Sequence, residues 1–233
     1  MRRYLVVDDN EAFAENLAEI LADTGAEVDI ALGGEQALEL VERKRYDLVI
    51  SDMRMPIMGG AELVQHLRRV EPGLPAIVIT AYINDEDLQS ARDEGVLAVL
   101  PKPAPIRRLL ALCAAARRDA LLALIHDDAG IIESLGEALR QRGFATVSVL
   151  PPPDADRLHH LRPFAALIDL RSKDPEMATW SETAKALPGL PMVVVTGSDD
   201  LSPVDPSIIL FHKPVAIADL VSAVEQLYGS GDG

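Results

Sequence analysis

Short apolar runs recur along the chain, each followed by a stretch whose apolar positions repeat at helical spacing. Tyr4-Leu5-Val6-Val7 is unbroken by polar positions and reads as a strand buried on both faces. Phe13, Leu17, Ile20 and Leu21 then form one stripe against Glu11, Glu15 and Glu19, which predicts an amphipathic helix stopped by Gly25. Val28-Asp29-Ile30, Leu48-Val49-Ile50, Ile77-Val78-Ile79 and Val96 to Leu100 predict further strands. Helices are predicted over 35–43, 61–70, 85–94 and from Pro105 through Arg118. Strict alternation of this kind belongs to an α/β protein with a parallel sheet covered on both faces. The C-terminal strand ends of a doubly wound sheet converge on one crevice. Here those ends carry Asp8 and Asp9, then Asp52, Thr80 and Lys102.

The pattern then begins again. Leu121 to Ile125 ends at Asp127 and Asp128, Ala166-Leu167-Ile168 at Asp169, Met192 to Val195 at Thr196, and Ile208 to Phe211 near Lys213. Pairing Asp128 with Asp9, Asp169 with Asp52, Thr196 with Thr80 and Lys213 with Lys102 gives offsets that shrink steadily, as small deletions in a duplicated unit would produce. The stretch from Thr196 to Lys213 is shorter than its counterpart, and it contains Gly197, Pro203 and Pro206. A loop is expected there in place of most of the fourth helix. The expected division is residues 1–118, residues 119–229 and a flexible tail at 230–233.

Composition narrows the class. The chain has 233 residues, 48% hydrophobic and 25% charged, the profile of folded globular domains. A net charge of −15 repels phosphate backbones, so nucleic acid is not an expected partner. The single cysteine, Cys113, builds neither a disulfide framework nor a zinc site and fits a reducing cytoplasm. No apolar run reaches the length needed to cross a bilayer, so membrane insertion is not expected.

Carboxylates gathered within a few ångströms raise one another's pKa unless a cation joins them. An oxygen-only ligand set selects a hard ion such as Mg²⁺, which welcomes a substrate phosphate. A carboxylate beside that ion can attack phosphorus, while an ammonium and a hydroxyl meet the charge on the transferring oxygens. Asp8, Asp9, Asp52, Thr80 and Lys102 make up such a set.

On Val6-Val7-Asp8-Asp9, Ser51-Asp52-Met53-Arg54-Met55-Pro56 with Gly60, Ile79-Thr80-Ala81 and Leu100-Pro101-Lys102-Pro103, residues 1–118 resemble the receiver domains of two-component response regulators. The resemblance implies a flavodoxin-like (βα)5 fold, with Asp52 accepting phosphate from a histidine kinase or phosphotransfer protein. It also implies Mg²⁺ on Asp9, Asp52 and the backbone carbonyl of Arg54, with Asp8 acting through water, and a cis peptide at Lys102–Pro103. The chain departs from the family where an aromatic often stands three residues before the lysine. Val99 occupies that place, with Tyr82 a nearby substitute. The second half resembles the family less closely. It keeps Asp127, Asp128, Asp169, Thr196 and Lys213 but lacks the Met-Pro-x-Met-x-Gly wording after its acceptor, and is expected to be a degenerate receiver serving docking or dimerisation, as in a homodimer.

Simpler readings exist for single residues. Asp8 and Asp9 could merely cap a helix. His126 reads as a satisfied core histidine, and the basic pairs Arg68-Arg69, Arg107-Arg108 and Arg117-Arg118 as solvated helix ends. For the whole chain the expectation is a signalling protein with protein-contact output to a downstream partner, not an enzyme beyond its own phosphorylation and dephosphorylation. With two receivers accounting for the sequence, no DNA-binding domain is expected. A phosphorelay intermediate or phosphate sink, and a scaffold that is never phosphorylated, are the alternatives.

Overall fold

The computed structural model describes residues 1–81, 86–126, 129–151, 153–170, 185, 188–197 and 207–230; of 86–88 and 129–132 it describes the backbone. Asp127, Asp128, Tyr82, residues 171–175 of the second acceptor loop, the segment expected to replace a fourth helix (198–206) and the tail beyond Ser230 lie outside the described residues. The chain divides into two compact units, Met1–Asp119 with Arg140–Ala145, and Ala120–Leu139 with Thr146–Gly233.

The first unit alternates β1 (Arg3–Val7), α1 (Glu11–Ala22), β2 (Glu27–Ala31), α2 (Gly34–Arg43), β3 (Leu48–Asp52), α3 (Gly60–Val70), β4 (Ala76–Thr80), α4 (Glu86–Asp93), β5 (Ala98–Pro101) and α5 (Ile106–Ala115). Its strands pair in parallel in the order β2-β1-β3-β4-β5, the flavodoxin-like winding. The unbroken apolar strands have a direct explanation. Tyr4, Val6, Leu48, Ile50, Ile77 and Ile79 turn to one face, where Leu17 and Leu21 of α1 and Leu109 and Cys113 of α5 cover them. Leu5, Val7 and Val49 turn to the other, beneath Ala37 and Val41 of α2 and Leu63 and Leu67 of α3. Both faces are dry, so neither can alternate with polar residues.

Two local expectations need correction. The last helix of this unit stops at Ala115, short of Arg118, because Ala116 turns extended (φ −49°, ψ 132°). The Arg118 guanidinium is instead tied to Tyr46 O and the Glu71 carboxylate. Arg68 is no solvated helix end either. It is 3% exposed, and its guanidinium donates to Glu94 O at 2.8 Å, Pro72 O at 2.6 Å, Leu74 O at 3.0 Å and Gly95 O at 2.8 Å.

The second unit contains β6 (Leu121–Ile125), α6 (Ala129–Gln141), β7 (Ala145–Val149), α7 (Ala155–Leu161), β8 (Ala165–Asp169), β9 (Met192–Thr196), β10 (Ile208–His212) and α8 (Ile217–Ser230). Asp154 caps α7, its side chain accepting from the backbone N–H groups of Asp156 and Arg157. The strand order β7-β6-β8-β9-β10 repeats the winding of the first sheet. No helix among the described residues is long and apolar enough to cross a membrane.

Candidate functional site

The site of the first unit lies where β1, β3, β4 and β5 end. β1 passes into α1 through Asp8-Asp9-Asn10, and Asn10, not an aspartate, caps the helix, its side chain accepting from Phe13 N at 3.1 Å. That leaves both carboxylates to the crevice. Asp8 is 1% exposed; its Oδ1 accepts from Asn10 N at 3.0 Å and its Oδ2 from Lys102 Nζ at 2.7 Å. Asp52 ends β3, with Oδ1 accepting from Met53 N at 2.8 Å and Oδ2 3.2 Å from Lys102 Nζ. One oxygen each from Asp8, Asp9 and Asp52 lies within 4.8 Å of the others.

The loop after Asp52 is held close. Gly60 N donates to Met53 O at 2.8 Å, and a Cβ on Gly60 would stand 2.3 Å from Asp52 O. Thr80, 1% exposed, ends β4 one residue beyond Ile79, the cross-strand partner of Asp52. Lys102 follows β5, its own N–H bonded to Thr80 O at 2.7 Å, and the Lys102–Pro103 peptide is cis. Arg54, two residues past Asp52, is exposed. The side chains of Asp8, Asp9, Asp52 and Lys102 thus come together at one crevice, and Thr80 stands at the neighbouring strand end, its carbonyl bonded to Lys102 N. Phe13 was missed: its ring centroid lies 4.5 Å from Lys102 Nζ, an aromatic face beneath the ammonium. The signal for it was its place in the first turn of α1.

Electrostatics follow from this packing. Burial raises the Asp52 pKa above the ordinary carboxylate value, the Lys102 hydrogen bond and charge pull it back only in part, and the Asp8 charge adds to the rise. Burial alone would lower Lys102, but its bonds to Asp8 and Asp52 and their charges raise it. The ammonium therefore stays charged while Asp52 is poorly satisfied. A cation would relieve that condition. The donors suit Mg²⁺, since they are all carboxylate oxygen and range from buried Asp8 to exposed Asp9, leaving an open side for water and a substrate oxygen.

The second unit repeats the frame with altered contents. His126 N donates to Val149 O at 3.2 Å just as Asp8 N donates to Ala31 O at 3.1 Å, and each follows the last residue of its strand. His126 therefore stands at the place of Asp8, one residue earlier than pairing the aspartates suggests. It is buried, as a core histidine would be, but its Nε2 lies 2.6 Å from Asp169 Oδ2. Lys213 Nζ is 2.5 Å from Asp169 Oδ1, Thr196 is fully buried, and Lys213–Pro214 is also cis.

A parallel sheet wound in this order, with acids and a lysine gathered at its carboxyl edge, defines a flavodoxin-like α/β domain with a polar strand-end crevice as a class. Residues 4–114 match the response regulator receiver domain family. A response regulator receiver protein of an Anaeromyxobacter strain (Fw109-5) is 52% identical over 229 residues, 98% of this chain and 96% of that one. The response regulator MprA of Mycolicibacterium vanbaalenii is 37% identical over 132 residues, 57% of this chain and 55% of that one. Among solved structures, a CheY-like receiver domain protein from Methanospirillum hungatei covers 47% of this chain and 88% of its own at 32% identity, with a TM-score of 0.46. The chain belongs to the response regulator receiver family.

Proposed function

We propose that the first unit is a phosphorylated receiver in which Asp52 accepts a phosphoryl group from a histidine kinase or phosphotransfer protein. One observation carries this: the Asp52 carboxylate lies 3.2 Å from the Lys102 ammonium and shares a 4.8 Å cluster with Asp8 and Asp9. Asp8, Asp9, Asp52 and the backbone carbonyl of Arg54 would hold Mg²⁺, which would neutralise charge on the phosphoryl oxygens. An oxygen of Asp52 attacks phosphorus, and the bond from phosphorus to the donor's nitrogen or acyl oxygen breaks, its electron pair leaving with the donor. Lys102 and Thr80 meet the charge on the transferred oxygens. The added charge and acceptor oxygens then bias the neighbouring loops, and output passes to a downstream protein through the surface of α4, β5 and α5.

In the second unit His126 replaces one acid and, with Lys213, already occupies Asp169. That supports a degenerate receiver, not a second acceptor. The test is intact-mass measurement after incubation with acetyl phosphate and Mg²⁺. One added phosphoryl group is expected on the natural chain and none on Asp52→Asn; efficient labelling of Asp52→Asn would overturn the assignment.

A further inference from the structure

Lys102 is held from three sides. Its ammonium lies 2.7 Å from Asp8 Oδ2, 3.2 Å from Asp52 Oδ2 and 4.5 Å from the centroid of the Phe13 ring. The other oxygen of each acid already accepts from backbone, Asp8 Oδ1 from Asn10 N at 3.0 Å and Asp52 Oδ1 from Met53 N at 2.8 Å. The oxygens that face Lys102 are therefore the less committed of each pair. A hard ion on these acids, or a phosphoryl group on Asp52, would draw on the same oxygens and loosen their hold on the ammonium. A neutral ring competes for neither, so Phe13 is the partner that Lys102 keeps.

The ring is fixed in place by the start of α1. Asn10 Oδ1 accepts from Phe13 N at 3.1 Å and Asn10 O from Ala14 N at 3.0 Å, which locks the first turn. The half-buried side chain packs against the cluster that contains Ala14, Leu17, Leu100 and Leu109. Leucine would serve that packing; only an aromatic offers an ammonium a negative face. The second unit, whose Asp169 is already occupied, carries Ile131 at this place, five residues past His126 as Phe13 is five past Asp8. Its lysine side chain is also the more exposed of the two, 38% against 24%. We propose that Phe13 is a positioning residue, its ring face keeping the Lys102 ammonium at the crevice while the oxygens of Asp8 and Asp52 turn to cation and phosphoryl group. This role rests on the reading of Asp52 as the acceptor, and Phe13 acts only through Lys102.

Fluorination of the ring separates this role from plain packing, because it keeps the shape and drains the negative face. Full chains with mono-, di- and trifluorinated phenylalanine at position 13 are compared with the natural chain, Phe13→Leu and Phe13→Trp. With Mg²⁺ in excess, the rate at which acetyl phosphate labels Asp52 should fall with each added fluorine. Phe13→Leu should be about threefold to tenfold slower than the natural chain, the worth of a cation–π contact, and Phe13→Trp should restore the rate. Without divalent cation, NMR should show the Lys102 ε-protons shifted upfield by the ring, a shift lost in Phe13→Leu. A trifluorinated chain that labels as fast as the natural one, or Lys102 ε-protons that stay put in Phe13→Leu, would overturn the role of Phe13 alone. A natural chain that takes no label at Asp52 would overturn the acceptor reading and this role with it.

Discussion

Asp52 carries the heaviest electrostatic load of the first crevice. Its folded pKa is raised above the ordinary carboxylate value, chiefly by burial. The folded state therefore holds this proton more tightly than the unfolded chain, and ionisation works against folding. The penalty is absent below the unfolded value of 3.8 and grows as pH rises through the raised folded value. Without divalent cation, urea unfolding should show Asp52→Asn gaining stability relative to the natural chain from pH 3.5 to pH 7. A constant difference across that range would contradict the assignment of the shift. Cys113 shows the opposite side of burial. Its thiol is pushed up to about 12, so the folded protein at neutral pH should react with iodoacetamide far more slowly than the urea-unfolded chain, as thiol counting over time will show.

Helices three and four are joined by Arg68. Burial lowers its pKa to about 10, so the guanidinium remains charged at neutral pH, and four backbone carbonyls around the ends of α3 and α4 answer it. Arg68→Met keeps the stem but strands those carbonyls, and should cost about 3 kcal/mol in urea unfolding, the scale for breaking a buried charged hydrogen-bond network. Nothing in the local pattern announces this clamp. An Arg pair in the last turn of an amphipathic helix reads as solvated, and only packing against the turn before β5 reverses that. The strands were legible for the converse reason: burial on both faces leaves an unbroken apolar run that local sequence displays directly. The end of α5 was not, because Ala114, Ala115 and Ala116 favour helix, whereas the backbone turns extended at Ala116 and Arg118 is bonded to Tyr46 O and Glu71.

The whole molecule is one winding used twice with different chemistry. The duplication was legible because Asp169, Thr196 and Lys213 keep their strand-end places. The exchange of Asp8 for His126 was not, since the pair Asp127-Asp128 mimics Asp8-Asp9 in writing while the backbone register sets the counterpart one residue earlier. The exchange predicts that the two units differ in metal dependence. At Mg²⁺ a hundredfold above its Kd, binding should stabilise the first unit by about 2.7 kcal/mol. Amide exchange should then slow across β1, β3 and β4 of the natural chain, not in β6, β8 and β9, and not in Asp52→Asn.

The most direct trial of the central claim is to locate the phosphoryl group. Borohydride reduces an aspartyl phosphate to homoserine, which peptide sequencing by mass spectrometry reads at a single position. After acetyl phosphate treatment, homoserine is expected at position 52 in the presence of Mg²⁺ and nowhere when EDTA is added. Homoserine at position 169 instead, or labelling at 52 indifferent to EDTA, would contradict the account.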